Sequence, residues 1–302
     1  MPQPISKKHH YLPELYLNGF TGSDGKFAVF DLKEKRLLKR RLSPSQIFYE
    51  LHRNTFEVNG VKDDFVEKMY QRLETQFGHV FKKIREQESH SILDVPDMFN
   101  IVLFIGSLYW RIPTTDTLFK EVLMRSTPDE LNFKIVNTKT GEEVDRIFYD
   151  ILKGRDGFAG AYKMIKPIID YIKNFDPKRL NDWKVYFATL NNNGERKELH
   201  LVGDNPVIFR QPGNDNIFDQ ELIVPLSSAK TLYHTRGKDI SIIDPSSRIN
   251  VDRLIFLQSE RYVCGPDSYY LESIADQAYK FIETSPDMAV DFLRHQVFNI
   301  FH

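Results

Sequence analysis

The chain has 302 residues, 41% hydrophobic and 13% aromatic, with a formal net charge of −1. That is enough apolar material for a sizeable core in one large or two small domains, and it leaves no global field drawing the molecule to nucleic acid or an anionic membrane. A single cysteine, Cys264, excludes an intramolecular disulfide and a cysteine-based zinc cage and fits a reducing cytosol. The residues before His9 carry two lysines and no apolar run, and no stretch approaches the ~20 apolar residues of a membrane span, so a soluble cytoplasmic protein without a membrane partner is expected.

In chain order, the first region reads as β-rich. Phe27–Phe30 and Leu37–Leu38 flank the turn Lys33-Glu34-Lys35-Arg36 as a hairpin, and Thr55–Val58 before Asn59-Gly60 reads as a strand with its turn. Residues 61–180 read as helical. Asp63 or Asp64 can cap a helix whose residues Val66, Met69, Tyr70, Leu73, Phe77, Val80, Phe81 and Ile84 share one arc. Pro96 opens a second helix, apolar nearly all round from Met98 to Trp110, which belongs at the centre of the core.

Strands then return. Trp183–Leu190, the turn Asn191–Gly194 and Glu198–Val202 read as a hairpin, followed by candidate strands at Pro206–Phe209 and Leu222–Val224. Two helices close the chain, one over Tyr270–Ile282 and one starting at Ser285-Pro286. The expected fold is a single α+β domain over residues 1–302. Its mixed or antiparallel sheet comes from both terminal regions and packs on a helical subdomain at 61–180. There is no internal repeat, and no glycine-rich phosphate loop lies between a strand and a helix.

Four polar residues stand out: His10, Glu74, Arg111 and Asp204. His9 and His10 are adjacent, so they diverge in either a strand or a helix and cannot easily share a metal. Pro13 starts a short helix whose Tyr16 and Leu17, with Phe20, pin the segment to the core; the histidines are either hydrogen-bonded parts of that anchor or, for His10, a base or ligand. Glu67 and Glu74 sit on the shoulder of the first helix's apolar arc, where partial burial would raise a carboxyl pKa or require a cation. Arg111 ends the most apolar helix, just before Ile112-Pro113, and needs an anionic partner, either Glu74 or a phosphate that its guanidinium would grip, unless it complements its helix C-terminus while reaching water. Asp204, in Gly203-Asp204-Asn205-Pro206, either braces an ordinary strand-joining turn or supplies a carboxylate. A basic run, Lys33, Lys35, Arg36, Lys39, Arg40 and Arg41, is a solvated hairpin face or a nucleic-acid contact.

The start His9-His10-Tyr11-Leu12-Pro13, with Tyr16-Leu17 and Phe20 at their spacing, resembles a bacterial family catalogued as domain of unknown function 4238. Val224-Pro225-Leu226-Ser227 and Arg261-Tyr262-Val263 are further landmarks, so the resemblance runs from His9 to about Val263. It implies a glutamate at Glu74 and a Ser-Asp-Asn-Pro motif around Asp204. Here Gly203 stands in place of that serine, which argues against a mechanism needing a hydroxyl at that position.

Two functions follow. The first is a phosphodiester hydrolase, nuclease-like, with His10 as base or ligand, Glu74 and Asp204 as carboxylates and Arg111 stabilising the anionic transition state. Its substrate contacts would be His9, Tyr16, Asn205, Lys39 and Arg41, its polymer would lie along the basic hairpin, and its candidate cofactor would be a divalent metal with no ligand set assigned. The second is a non-catalytic interaction protein in which the same four residues form a buried polar network.

Overall fold

The computed structural model describes residues 6–58, 60–86, 93–130, 134–137, 139–187, 198–213, 215–241, 243–284 and 288–302. Asn59, the turn expected at Asn191–Gly194 and the helix start at Ser285-Pro286 lie outside them.

The fold is α+β with antiparallel pairing throughout the described sheets. Strand β1 (Lys8–His10) leads into a short helix α1 (Glu14–Leu17). Then come β2 (Ala28–Asp31), β3 (Arg36–Leu37), β4 (Tyr49–Leu51) and the ribbon of β5 (Phe56–Val58) and β6 (Val61–Asp63). The helical region holds α2 (Phe65–Glu86), α3 (Val95–Arg111), α4 (Asp116–Arg125), α5 (Arg146–Lys153) and α6 (Asp156–Asn174). After it come β7 (Trp183–Phe187), β8 (Val202–Gly203), β9 (Ile208–Phe209), β10 (Leu222–Ser227) and β11 (Lys230–His234). The last elements are α7 (Pro245–Gln258), β12 (Tyr262–Gly265), α8 (Ser268–Thr284) and α9 (Ala289–Phe298).

Local chemistry sets the central helices. The Asp63 carboxylate accepts from the Phe65 amide at 2.7 Å at the head of α2. Asp94 and Asp97 close a capping box around the start of α3, and Pro96 sits in its first turn, where a missing N–H costs nothing. Helix α3 is buried along most of its length and packs on α6 and α2, as an all-round apolar helix must. It stops at Ile112, whose extended backbone (ψ 146°) is what a following proline imposes.

One four-stranded sheet, ordered β3-β2-β12-β8, combines both terminal regions as the sequence suggests; a second, β7-β11-β10-β9, is made by the C-terminal half alone. Among the described residues, the expected hairpin between Trp183–Leu190 and Glu198–Val202 does not form. Strand β7 pairs with β11, from Lys230↔Phe187 to His234↔Trp183, while Val202 pairs with Cys264 of the other sheet. Alternation identifies a strand but not its partner, and Lys230–His234 offers β7 a full register that two residues at 202–203 cannot.

Candidate functional site

His10 arrives on β1, whose ladder with β4 places it opposite Tyr49, with the two rings edge to face at 5.5 Å. Pro13 turns the chain into α1, and Tyr16, Leu17 and Phe20 are buried completely. Glu74 projects from α2 and Arg111 from the last turn of α3. All three line one open cavity of about 500 Å3, together with Lys8, Glu14 and Glu67.

Arg111 is only 4% exposed, and its Nη1 donates to Glu74 Oε1 at 2.5 Å. Its guanidinium lies over the Tyr70 ring at 4.4 Å, which supplies the face of the charge that no carboxylate meets. Two buried nitrogens of the cavity-lining residues, Arg111 Nε and His10 Nε2, have no hydrogen-bond partner among the described residues. The carbonyls of Pro44 and Ser45 lie close enough to favour a charged His10, but they make no well-formed hydrogen bond to Nε2. Burial outweighs them and, with Arg111 and Lys8 nearby, lowers the imidazole pKa to about 4. His10 is therefore neutral at pH 7. Burial and the neighbouring Glu74 push Glu14, 3.7 Å from His10 Nδ1, above the usual carboxylate range.

Asp204 is not a wall of this cavity. It is buried, and its carboxylate accepts from the amides of Glu260 at 2.9 Å, Arg261 at 2.7 Å and Tyr262 at 3.3 Å, clamping the loop between α7 and β12. It borders a different cavity of about 340 Å3, shared with Tyr11, Tyr49 and Arg261. Asn205 exchanges hydrogen bonds with Gln258. Gly203 has a steric reason: a Cβ there would stand 1.9 Å from Ser259 Oγ, so the space a serine would need is filled by the hydroxyl of Ser259.

The remaining expected contacts are placed as follows. Both ring nitrogens of fully buried His9 meet the backbone, Nδ1 accepting from the Asn54 amide at 2.8 Å and Nε2 donating to Ser6 O at 3.0 Å. Tyr16 OH donates to Pro225 O at 2.7 Å inside the aromatic core. Arg41 holds Asp24 and the carbonyls of Lys26 and Pro266, while Lys39 is exposed. Structure thus brings His10, Glu74 and Arg111 together and leaves Asp204, His9, Tyr16, Asn205, Lys39 and Arg41 elsewhere. Glu14 and Lys8 were not singled out from sequence; Glu14, four residues after His10 and just past Pro13, carries the signal that would have found it. Among the described residues no group of three or more His, Cys, Asp and Glu is arranged to hold a metal ion, and no helix is long and apolar enough to cross a membrane.

The sequence model of the family described as protein of unknown function (DUF4238) matches residues 8–268. The chain belongs to the DUF4238 family. No curated protein and no solved structure matches it. The family match spans β1 to the start of α8, and so includes every wall of the His10 cavity except Ser6.

Proposed function

We propose that this DUF4238 member is a hydrolase of phosphodiester bonds and that the His10 cavity is its active site. The observation that supports this is the convergence of three residues from three elements on one cavity, with a neutral imidazole nitrogen and a guanidinium nitrogen lacking partners among the described residues. Buried polar atoms are rarely left so unless a ligand, water or reacting group meets them. In this reading His10 takes the proton of the attacking water, a bound anion raises its pKa toward neutrality, and Arg111, held by Glu74, stabilises the charge developing on phosphorus oxygens. Glu14, Glu67 and Glu74 outnumber Lys8 and Arg111 on the walls. A monoanionic diester suits that balance better than a polyanion, and an accompanying divalent cation would ease it further. The exposed lysines Lys33, Lys35 and Lys39 are the candidate contacts to a nucleic-acid chain. The single buried free thiol of Cys264 supports a cytoplasmic location.

Bis-(p-nitrophenyl) phosphate, single- and double-stranded DNA, and RNA are the test substrates, each with and without magnesium and manganese. Hydrolysis that disappears in His10→Ala is the expected result. No turnover of any of them overturns the reading.

The alternative, a polar network in a non-catalytic interaction protein, is favoured by one observation: the Arg111–Glu74 pair and the Arg111–Tyr70 stack already satisfy much of the buried charge. It expects Arg111 to matter for stability and His10 to carry no activity.

A further inference from the structure

In the second sheet, alternation along β11 sends Lys230, Leu232 and His234 to one side and Thr231 and Tyr233 to the other, where they line a cavity of about 380 Å3 with Tyr186, Ile240, Ile243 and Arg248. Behind Thr231 lies a fully buried relay. Asp252, on α7, meets His200 Nδ1 at 3.0 Å, and His200 Nε2 lies 2.8 Å from Thr231 Oγ1.

The tautomer follows from the partners. Arg248 Nε can only donate, and it reaches His200 Nε2 at 3.2 Å, so Nε2 is the acceptor and the ring proton sits on Nδ1, facing Asp252. The carboxylate is fixed on both oxygens: Oδ1 also accepts from the Leu201 amide at 2.9 Å, and Oδ2 accepts from Tyr270 OH at 2.6 Å. A carboxylate that orients an imidazole whose unprotonated nitrogen faces a hydroxyl on a cavity wall is the arrangement that activates an oxygen nucleophile.

We propose that Thr231 is a nucleophile at a second site, independent of the His10 cavity, and that the site takes an ester of an apolar or aromatic acyl group carrying an anionic substituent. Tyr186, Tyr233, Ile240 and Ile243 supply the apolar wall and Arg248 the cation. When Arg248 turns to that substituent it leaves the Nε2 lone pair to Thr231 alone. Oγ1 then bonds to the ester carbon, its proton passes to His200 Nε2, and the carbon–oxygen bond to the alcohol breaks as the alcohol takes that proton. Water, deprotonated in turn by Nε2, cleaves the new ester, releasing the acid and returning the proton to Oγ1. Asp252 is a positioning residue, since it acts through His200.

Diisopropyl fluorophosphate tests this on the full chain without a known substrate. Attack forms a phosphorus–Oγ1 bond and expels fluoride, so intact-mass and peptide mapping should find one adduct, on Thr231. Thr231→Val should abolish it, Thr231→Ser should label at least as fast, and His10→Ala should leave it unchanged. Asp252→Asn keeps an oxygen acceptor for both Nδ1–H and Leu201, so it should fold yet label about tenfold or more slowly. No adduct on the wild-type chain, an adduct elsewhere, or labelling of Thr231→Val or Asp252→Asn at the wild-type rate overturns the proposal, with melting curves of each variant confirming that folded protein was compared.

Discussion

Glu74 and Asp204 are both carboxylates at cavity walls, and the difference lies in what meets their oxygens. Asp204 is enclosed by three backbone amides of one loop, so its charge is consumed in fixing the approach of β12 to α7. Glu74 meets one side chain, Arg111, and keeps about a quarter of its surface open to the cavity. A carboxylate satisfied by backbone positions the chain. One satisfied by a single side chain, beside an imidazole nitrogen with no partner among the described residues, keeps capacity for something else.

The largest effect is expected at the Asp204 turn. Asp204→Ala strands three amide donors in a buried loop at about 1–3 kcal/mol each before relaxation, and a net loss of about 4 kcal/mol in urea melts is expected. Arg111→Met comes next, at about 3 kcal/mol: it leaves Glu74 without its cation and Tyr70 without its stacked partner, moderated by Glu74's access to water. If Asp204→Ala melted like the wild type while hydrolysis vanished, the contrast between the two carboxylates would be reversed.

Acid sharpens the comparison from another side. His234 is stacked on Trp183 with ring centroids 4.1 Å apart, and its Nδ1 lies 2.7 Å from Gln220 O. Burial lowers its pKa from the ordinary 6.5 to about 4. Above pH 6.5 neither the folded nor the unfolded chain holds the proton. As pH falls from 6.5 toward 4 only the unfolded chain binds it, so stability present at neutral pH is lost over that window, on the order of 3 kcal/mol for this residue. His10 shifts in the same direction. Chemical melts at pH 7, 5.5 and 4 should show the loss, and His234→Gln should remove the share due to His234 while the share due to His10 remains; a flat wild-type profile would mean that these rings are protonated in the folded protein.

Gly203→Ser is expected to cost about 2 kcal/mol, because its Cβ would collide with Ser259 Oγ. Ser259→Gly in the same chain should recover most of that loss, whereas additive losses would place the strain elsewhere.

Much of the frame was legible. The periodicity of α2, the caps and proline of α3, and the burial of Tyr16, Leu17 and Phe20 all appear as read, because amphipathic spacing and capping chemistry are local. Strand partners were not legible, since the β7–β11 register depends on residues more than forty positions apart. Helix α7 was missed for a physical reason: Asp252 lies among its buried residues, so the apolar pattern breaks where the relay to His200 is built. Of the four singled-out residues, Arg111 and Glu74 could be matched by burial and charge alone. Asp204 could not be separated from them, because sequence does not show which groups will meet an oxygen.

His10→Ala carries the smallest expected stability change and separates the readings most cleanly. The ring is largely buried, but Nε2 makes no hydrogen bond among the described residues and Nδ1 only approaches Glu14 at 3.7 Å. Removing it takes away an edge contact with Tyr49 and a group that is neutral at pH 7. A stability change under about 1 kcal/mol is expected, since no satisfied polar pair is broken and the open cavity can admit water. Arg111→Met separates them less sharply, because it disturbs an ion pair and a stack whatever the site does. If His10→Ala melts like the wild type and no longer hydrolyses the diester, the cavity is a site of chemistry. Should it melt several degrees lower with hydrolysis intact, His10 belongs with Asp204, among the groups that hold the chain in place.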